Sequence, residues 1–174
     1  MVRYREEQPL GGNPVLHVLI GVAVIVPTAL VTGFALSGSP LPFTQVLAIL
    51  APALLVLVAL MAFLSVCRLV VEVHDDGVHV RFAPFHRRPR RFAPDEIADV
   101  VVRDYRPLRE YGGWGIRIAS GGRRAYTVSG TRGCELVLRD GRRIMIGSRQ
   151  PERLAAAIGA VLARGGADDR RSPR

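Results

Sequence analysis

Sixty consecutive residues, Gln8 to Cys67, contain no Asp, Glu, Lys or Arg. That constraint governs what the chain can fold into. A stretch so long and so free of charge has to be taken out of water, and both its ends must return to the charged remainder. Arg68 to Arg174 holds 22 of the 24 arginines and 13 of the 15 acidic residues. A length of 174 residues would by itself suggest one domain with a fair core. The charge pattern divides the chain into two unlike halves instead.

The apolar half reads as two membrane spans. Residues 15–36 and 45–67 each cover the roughly 30 Å hydrocarbon layer at about 1.5 Å per helical residue. Between them residues 37–44 supply Gly38, Pro40 and Pro42, which break helices and make a short uncharged loop. A cleavable signal sequence fits poorly, because the first run exceeds the usual span of about 7 to 15 apolar residues and a second follows directly. Arg3 and Arg5 precede the first span, Arg68, Arg81, Arg87 and Arg88 follow the second, and the loop has none. The positive-inside rule then places residues 1–14 and everything after residue 67 in the cytoplasm, with the spans in the plasma (inner) membrane. Pro27 and Pro52 interrupt the spans, but without an intramembrane carboxylate there is no ion path to build on them. Anchoring is the expected role.

After residue 67 the hydrophobic period changes to two, the signature of strands. Val71 and Val73 alternate with Glu72 and His74, Asp76-Gly77 turns the chain, and Val78, Val80 and Phe82 alternate with His79 and Arg81. Further strands are expected at 88–92, 97–105, 114–119, 124–129, 134–140 and 142–148, the last two joined by Asp140-Gly141. One helix follows over about 151–164, with Pro151 at its first position and Leu154, Ile158, Val161 and Leu162 on one face. Gly165-Gly166 is the expected stop, and 165–174 the expected disordered tail.

The stretches LVVEVHDDGVHVRF, FAPDEIADVVV, ELVLRDGRRIMIGS and QPERLAAAI together resemble the bacterial pleckstrin-homology-like domains, in the arrangement with two N-terminal spans. The resemblance covers roughly residues 69–164 and implies a bent antiparallel sheet or barrel of about seven strands capped by the C-terminal helix. It carries no catalytic residue over to this chain.

Residues 68–174 hold the whole formal net charge of +9, and part of it is concentrated in His86 to Arg91. Arg87, Arg88, Arg90 and Arg91 are candidate contacts to anionic lipid headgroups. The same arginines also satisfy topology and keep a strand edge from aggregating, so a solvated role stands beside the lipid one. Nucleic acid is set aside, for no recognition helix, zinc signature or stacking aromatics accompany the charge.

No catalytic constellation is present in the sequence. Cys67 and Cys134 have no CxxC spacing and read as small buried thiols; His74 and His79 face each other across a turn without a third ligand. Asp75-Asp76 and Asp95-Glu96 fall in turns, where carboxylates cap backbone groups. No enzyme, metal or cofactor is expected.

The stretch REYGGWGIRI holds the only tryptophan among three glycines. A phosphate loop would need a helix after the glycines, and here a strand pattern follows. Tyr111, Gly112, Gly113, Trp114 and Gly115 are therefore read as a structural corner, with a partner-binding surface as the other reading. Two functions remain from the sequence. One is a membrane-anchored module that binds a protein, oligomerises or contacts anionic lipid. The other is an accessory subunit of a transport or envelope complex, acting through its spans on another membrane protein.

Overall fold

A computed structural model describes residues 2–12, 14–37 and 42–169. The chain forms two compact units, one made of Met1–Gly12 with Cys67–Arg174 and the other of Asn13–Val66.

The second unit is a pair of helices, α1 (Pro14–Leu36) and α2 (Phe43–Val66). Apolar residues cover every side of both, as expected of helices that no core of their own surrounds. α2 is long and apolar enough to cross a membrane, and its most apolar stretch is unburied; in α1 the apolar stretch is Ile20–Leu36. Pro27 and Pro52 lie inside the helices. α2 ends at Val66, so Cys67 belongs to the β unit rather than to the second apolar run. The expected loop falls partly on 38–41, outside the described residues.

The β unit contains nine strands among the described residues, more than the seven or so expected. Four form one sheet in the order β1 (Val2–Pro9), β2 (Arg68–His74), β3 (Gly77–Ala83), β4 (Arg90–Phe92). Five form another: β5 (Ile97–Asp104), β8 (Arg132–Leu138), β9 (Arg143–Gly147), β7 (Arg124–Thr127), β6 (Gly115–Ile118). The second sheet is not wholly antiparallel. A short helix, α3 (Pro107–Tyr111), carries the chain away from β5, the β8–β9 hairpin fills the gap, and β9 thereby runs parallel to β7.

Alternation places Leu69, Val71, Val73, Val78, Val80 and Phe82 inward, where they meet Leu136, Ile144 and Ile146 of the other sheet. The C-terminal helix α4 (Pro151–Asp169) closes this core with Leu154, Ile158 and Val161. Each such side chain contributes about 1.5–3 kcal/mol when fully buried. The backbone stays helical through Gly165-Gly166 to Asp169, past the expected stop; the rest of the expected tail, 170–174, lies outside the described residues.

The largest departure from expectation is β1. The first residues are an edge strand rather than a free segment, paired antiparallel with β2 from Val2↔His74 to Pro9↔Arg68. The carboxylate of Glu6 ties this strand to the far sheet. It accepts from the Tyr4 hydroxyl at 2.7 Å, Gln8 Nε2 at 3.0 Å, the Ser148 hydroxyl at 2.6 Å and the Arg149 N–H at 2.7 Å. Gln8, itself buried, also donates to the Gly147 carbonyl at 2.9 Å. Replacing Glu6 by Ala removes the acceptor from four donors and should cost about 2–4 kcal/mol. Thermal unfolding of the full chain in detergent checks this; an unchanged midpoint contradicts it.

Candidate functional site

The register across β1, β2 and β3 brings Pro9, Arg68 and Ala83 side by side. Beyond them Leu10 N–H donates to the Cys67 carbonyl at 2.9 Å. Here the chain leaves the β unit and returns to it. The β3–β4 connection begins at the same end. His86 N–H donates to the Phe82 carbonyl at 2.8 Å, and Phe82 N–H donates back to His86 Nδ1 at 3.2 Å. Burial, followed by the charge of Arg90, lowers the His86 pKa, in keeping with a neutral ring whose Nδ1 accepts. That ring stands edge-on to Tyr126 of β7, with centroids 5.8 Å apart.

Within this turn the ring of Phe85 lies 5.8 Å from that of Phe82. Phe85 is 59% exposed. Arg87, Arg88 and Arg90 are exposed, and the side chain of none of them makes a hydrogen bond or ion pair among the described residues, although Arg90 pairs with Val80 through the backbone. Arg91 differs from them. Its Nε donates to the Asp76 carbonyl at 3.0 Å and lies 3.2 Å from the Asp76 carboxylate, at the β2–β3 turn. Of the four arginines singled out in the sequence, three are therefore available to a ligand and the fourth is held at the other end of the strands.

An open groove of about 380 Å³ lies on the outer face of the four-stranded sheet, lined by Arg5, Glu7, Arg68, Glu72 and Arg81, with Pro89 at its rim. Arg5 pairs with Glu72 at 3.2 Å and Arg68 with Glu7 at 2.7 Å. The carboxylates cancel most of the positive charge, so the groove is a poorer anion site than the neighbouring turn.

The YGGWG corner is the C-terminal end of a helix. Pro107 occupies the first turn of α3, and Gly112, at φ 71° and ψ 21°, ends it. Gly112 N–H donates to the Leu108 carbonyl at 3.2 Å, the bond of an αL cap, and Gly113 N–H donates to the Pro107 carbonyl at 2.9 Å. The glycines thus sit at the negative end of a helix, the opposite of what a phosphate needs. Trp114 is half-buried, and its indole N–H donates to the Gly130 carbonyl at 3.0 Å; Gly115 opens β6. Tyr111 is buried against Tyr105, above Ala125 and Met145. The adjoining Arg103 pairs with Glu110 at 3.0 Å and with buried Glu135 at 3.1 Å. Gly112→Ala puts a side chain into the left-handed region and should cost about 1 kcal/mol. A calorimetric midpoint equal to that of the wild type would contradict the cap.

The remaining candidates are engaged locally. Cys67 and Cys134 are both buried and unpaired, and burial pushes the Cys134 thiol up to about 12. The rings of His74 and His79 lie 4.7 Å apart, yet His74 Nε2 is 3.0 Å from Glu72 and His79 Nε2 is 3.2 Å from Asp76. No group of three or more ligands able to hold a metal occurs among the described residues. Glu96 accepts the Ala93 N–H at 3.1 Å, which is turn chemistry.

Burial, and then hydrogen bonding to Glu6, pushes the Tyr4 phenol up to about 12 from its ordinary 10.0. A proton held more tightly in the folded state contributes stability that is complete below pH 10 and is lost as the pH rises towards 12. The melting temperature should therefore fall across that window. Tyr4→Phe should make the fall shallower without removing it, since Tyr105 is also pushed up to about 12. A pH series of melting curves for both proteins checks the point.

No protein-family model matches this chain, and neither a curated protein nor a solved structure does. The site therefore stands on its own geometry. Sequence reading missed Phe85, Ile116 and Ile118, which are 59%, 36% and 75% exposed. The signal for Phe85 lay within PFHRRPRR, an aromatic beside a run of arginines. Ile116 and Ile118 follow an ordinary strand alternation that gives no sign of their exposure.

Proposed function

We propose that this protein is a non-enzymatic, two-pass membrane-anchored module whose β unit, of pleckstrin-homology-like type, works at the cytoplasmic surface of the inner membrane by contacting anionic lipid or a protein partner. The pairing of β1 with β2 is the observation that carries the reading. An apolar stretch whose two ends are adjacent strands of one sheet must start and finish on the same side of any bilayer it enters. An even number of crossings fits that arrangement, and on this reading α1 and α2 are the two. The excess of arginine in the β unit supports a cytoplasmic side for it. The sheet-rich unit closed by α4 supports the family resemblance in its general plan.

The accessory-subunit reading draws on a different feature. Ala23, Pro27, Thr28, Leu47, Ala51 and Leu54 line an apolar groove of about 350 Å³ between α1 and α2. Small residues in such a groove let another membrane helix approach closely.

Cysteine labelling tests the topology. In intact cells a membrane-impermeant maleimide should label Ser37→Cys but reach Val2→Cys only after permeabilisation. Labelling of Val2→Cys from outside, or of Ser37→Cys only after permeabilisation, rejects the two-pass arrangement.

A further inference from the structure

We propose that the end of the β unit where the chain leaves and returns is a lipid-docking rim, in which Phe85 enters the headgroup layer of an anionic bilayer while Arg87, Arg88 and Arg90 contact its phosphates. The inference rests on the anchored reading above and gives its surface contact an address.

Three independent observations converge on this end. The first is register: Ala83 pairs with Arg68, and Arg68 follows the last residue of α2 by two positions, so the β3–β4 turn starts beside the point where the chain returns. The second is apolar exposure. Phe85 is 59% exposed; its neighbour His86 rests on Tyr126, Tyr126 pairs with Ile116, and Ile118 two residues further is 75% exposed. The third is charge: Arg87, Arg88 and Arg90 have no ion partner among the described residues, whereas Arg91 is held by Asp76 away from this edge.

An aromatic ring set among uncompensated arginines suits the boundary between phosphates and acyl chains, where the ring is removed from water and the guanidinium groups stay in the polar layer. Arginine also matches phosphate oxygens with two parallel donors. A protein partner would have to be acidic and would compete with a lipid surface that the covalent connection already brings close.

Single-tryptophan reporters in the full chain test this. In a Trp114→Phe background, Phe85→Trp is reconstituted into phosphatidylcholine vesicles with or without phosphatidylglycerol, the lipids carrying bromine on the upper acyl chain. The expected result is bromine quenching of the Phe85→Trp indole in the anionic vesicles and its protection from aqueous acrylamide. Arg87→Glu, Arg88→Glu and Arg90→Glu together should weaken the docked state about a hundredfold, enough to abolish the quenching. Equal quenching in neutral and anionic vesicles overturns the dependence on anionic lipid, and quenching that survives the triple change overturns the arginine contact; acrylamide access without bromine quenching overturns the whole rim. A Leu54→Trp reporter in the same background separates the two readings. If bromines at the bilayer centre quench Leu54→Trp while Phe85→Trp stays in water, only the rim fails; if Leu54→Trp is not quenched, the anchor itself fails.

Discussion

The pairing of β1 with β2 is the interaction on which the rest of the structure depends. It joins Val2–Pro9 to Arg68–His74 across the whole apolar stretch, and it makes one unit of two chain segments that sequence separates. Closing so long a loop costs entropy that grows only slowly with length, but the cost has to be met before the strand pairs bring any return. A fragment beginning at residue 68 would lack its edge strand, the Glu6 carboxylate and the bond from Gln8 to Gly147.

Why β1 was not legible follows from its side chains. An edge strand on a packed sheet normally declares itself by alternating apolar and polar residues. Here the inward positions are Tyr4, Glu6 and Gln8, polar groups satisfied by one another and by Ser148 and Gly147. Arg3 and Arg5 have a second explanation as topological charges, so nothing in the segment asked for a partner strand. By contrast, Val71 and Val73 facing Val78 and Val80 across Asp76-Gly77 carry both the alternation and the turn, and that hairpin stands where the sequence puts it. Leu154, Ile158 and Val161 do the same for α4. Sheet order was out of reach for another reason: the insertion of β8 and β9 between β5 and β7 is a tertiary choice that no local pattern encodes.

The corner at Gly112 shows how composition can suggest the wrong chemistry while geometry assigns the right one. Three closely spaced glycines are compatible with a phosphate cradle and with a helix cap. What separates the two is the side on which the helix lies. The preceding α3, five residues long, was missed because so short a helix has no room for periodicity, although Pro107 and Gly112 bracket it as start and stop. Once α3 is in place the glycines are seen to close carbonyls, and Trp114 to hold the Gly130 loop.

Charge is informative here only after pairing is known. Counted along the sequence, Arg87, Arg88, Arg90 and Arg91 are one cluster; in the fold, Arg91 belongs to the Asp76 turn and the side chains of the other three have no partner among the described residues. Each unpaired arginine near an anionic surface contributes on the order of 1 kcal/mol, too little to recruit a free domain against the loss of translational freedom. The covalent connection changes that balance. Only Cys67 separates α2 from β2, a reach of at most roughly 7 Å from Val66 to Arg68, so the membrane-anchored reading puts that loss into the anchor rather than into the lipid contact. Weak contacts then suffice for docking. They are also readily broken, since exposed arginine–phosphate pairs are screened by salt over about 10 Å and each yields to a competing acidic partner of similar strength. The proposed rim of three arginines and one aromatic ring therefore amounts to a weak, salt-sensitive contact that depends on the anchor.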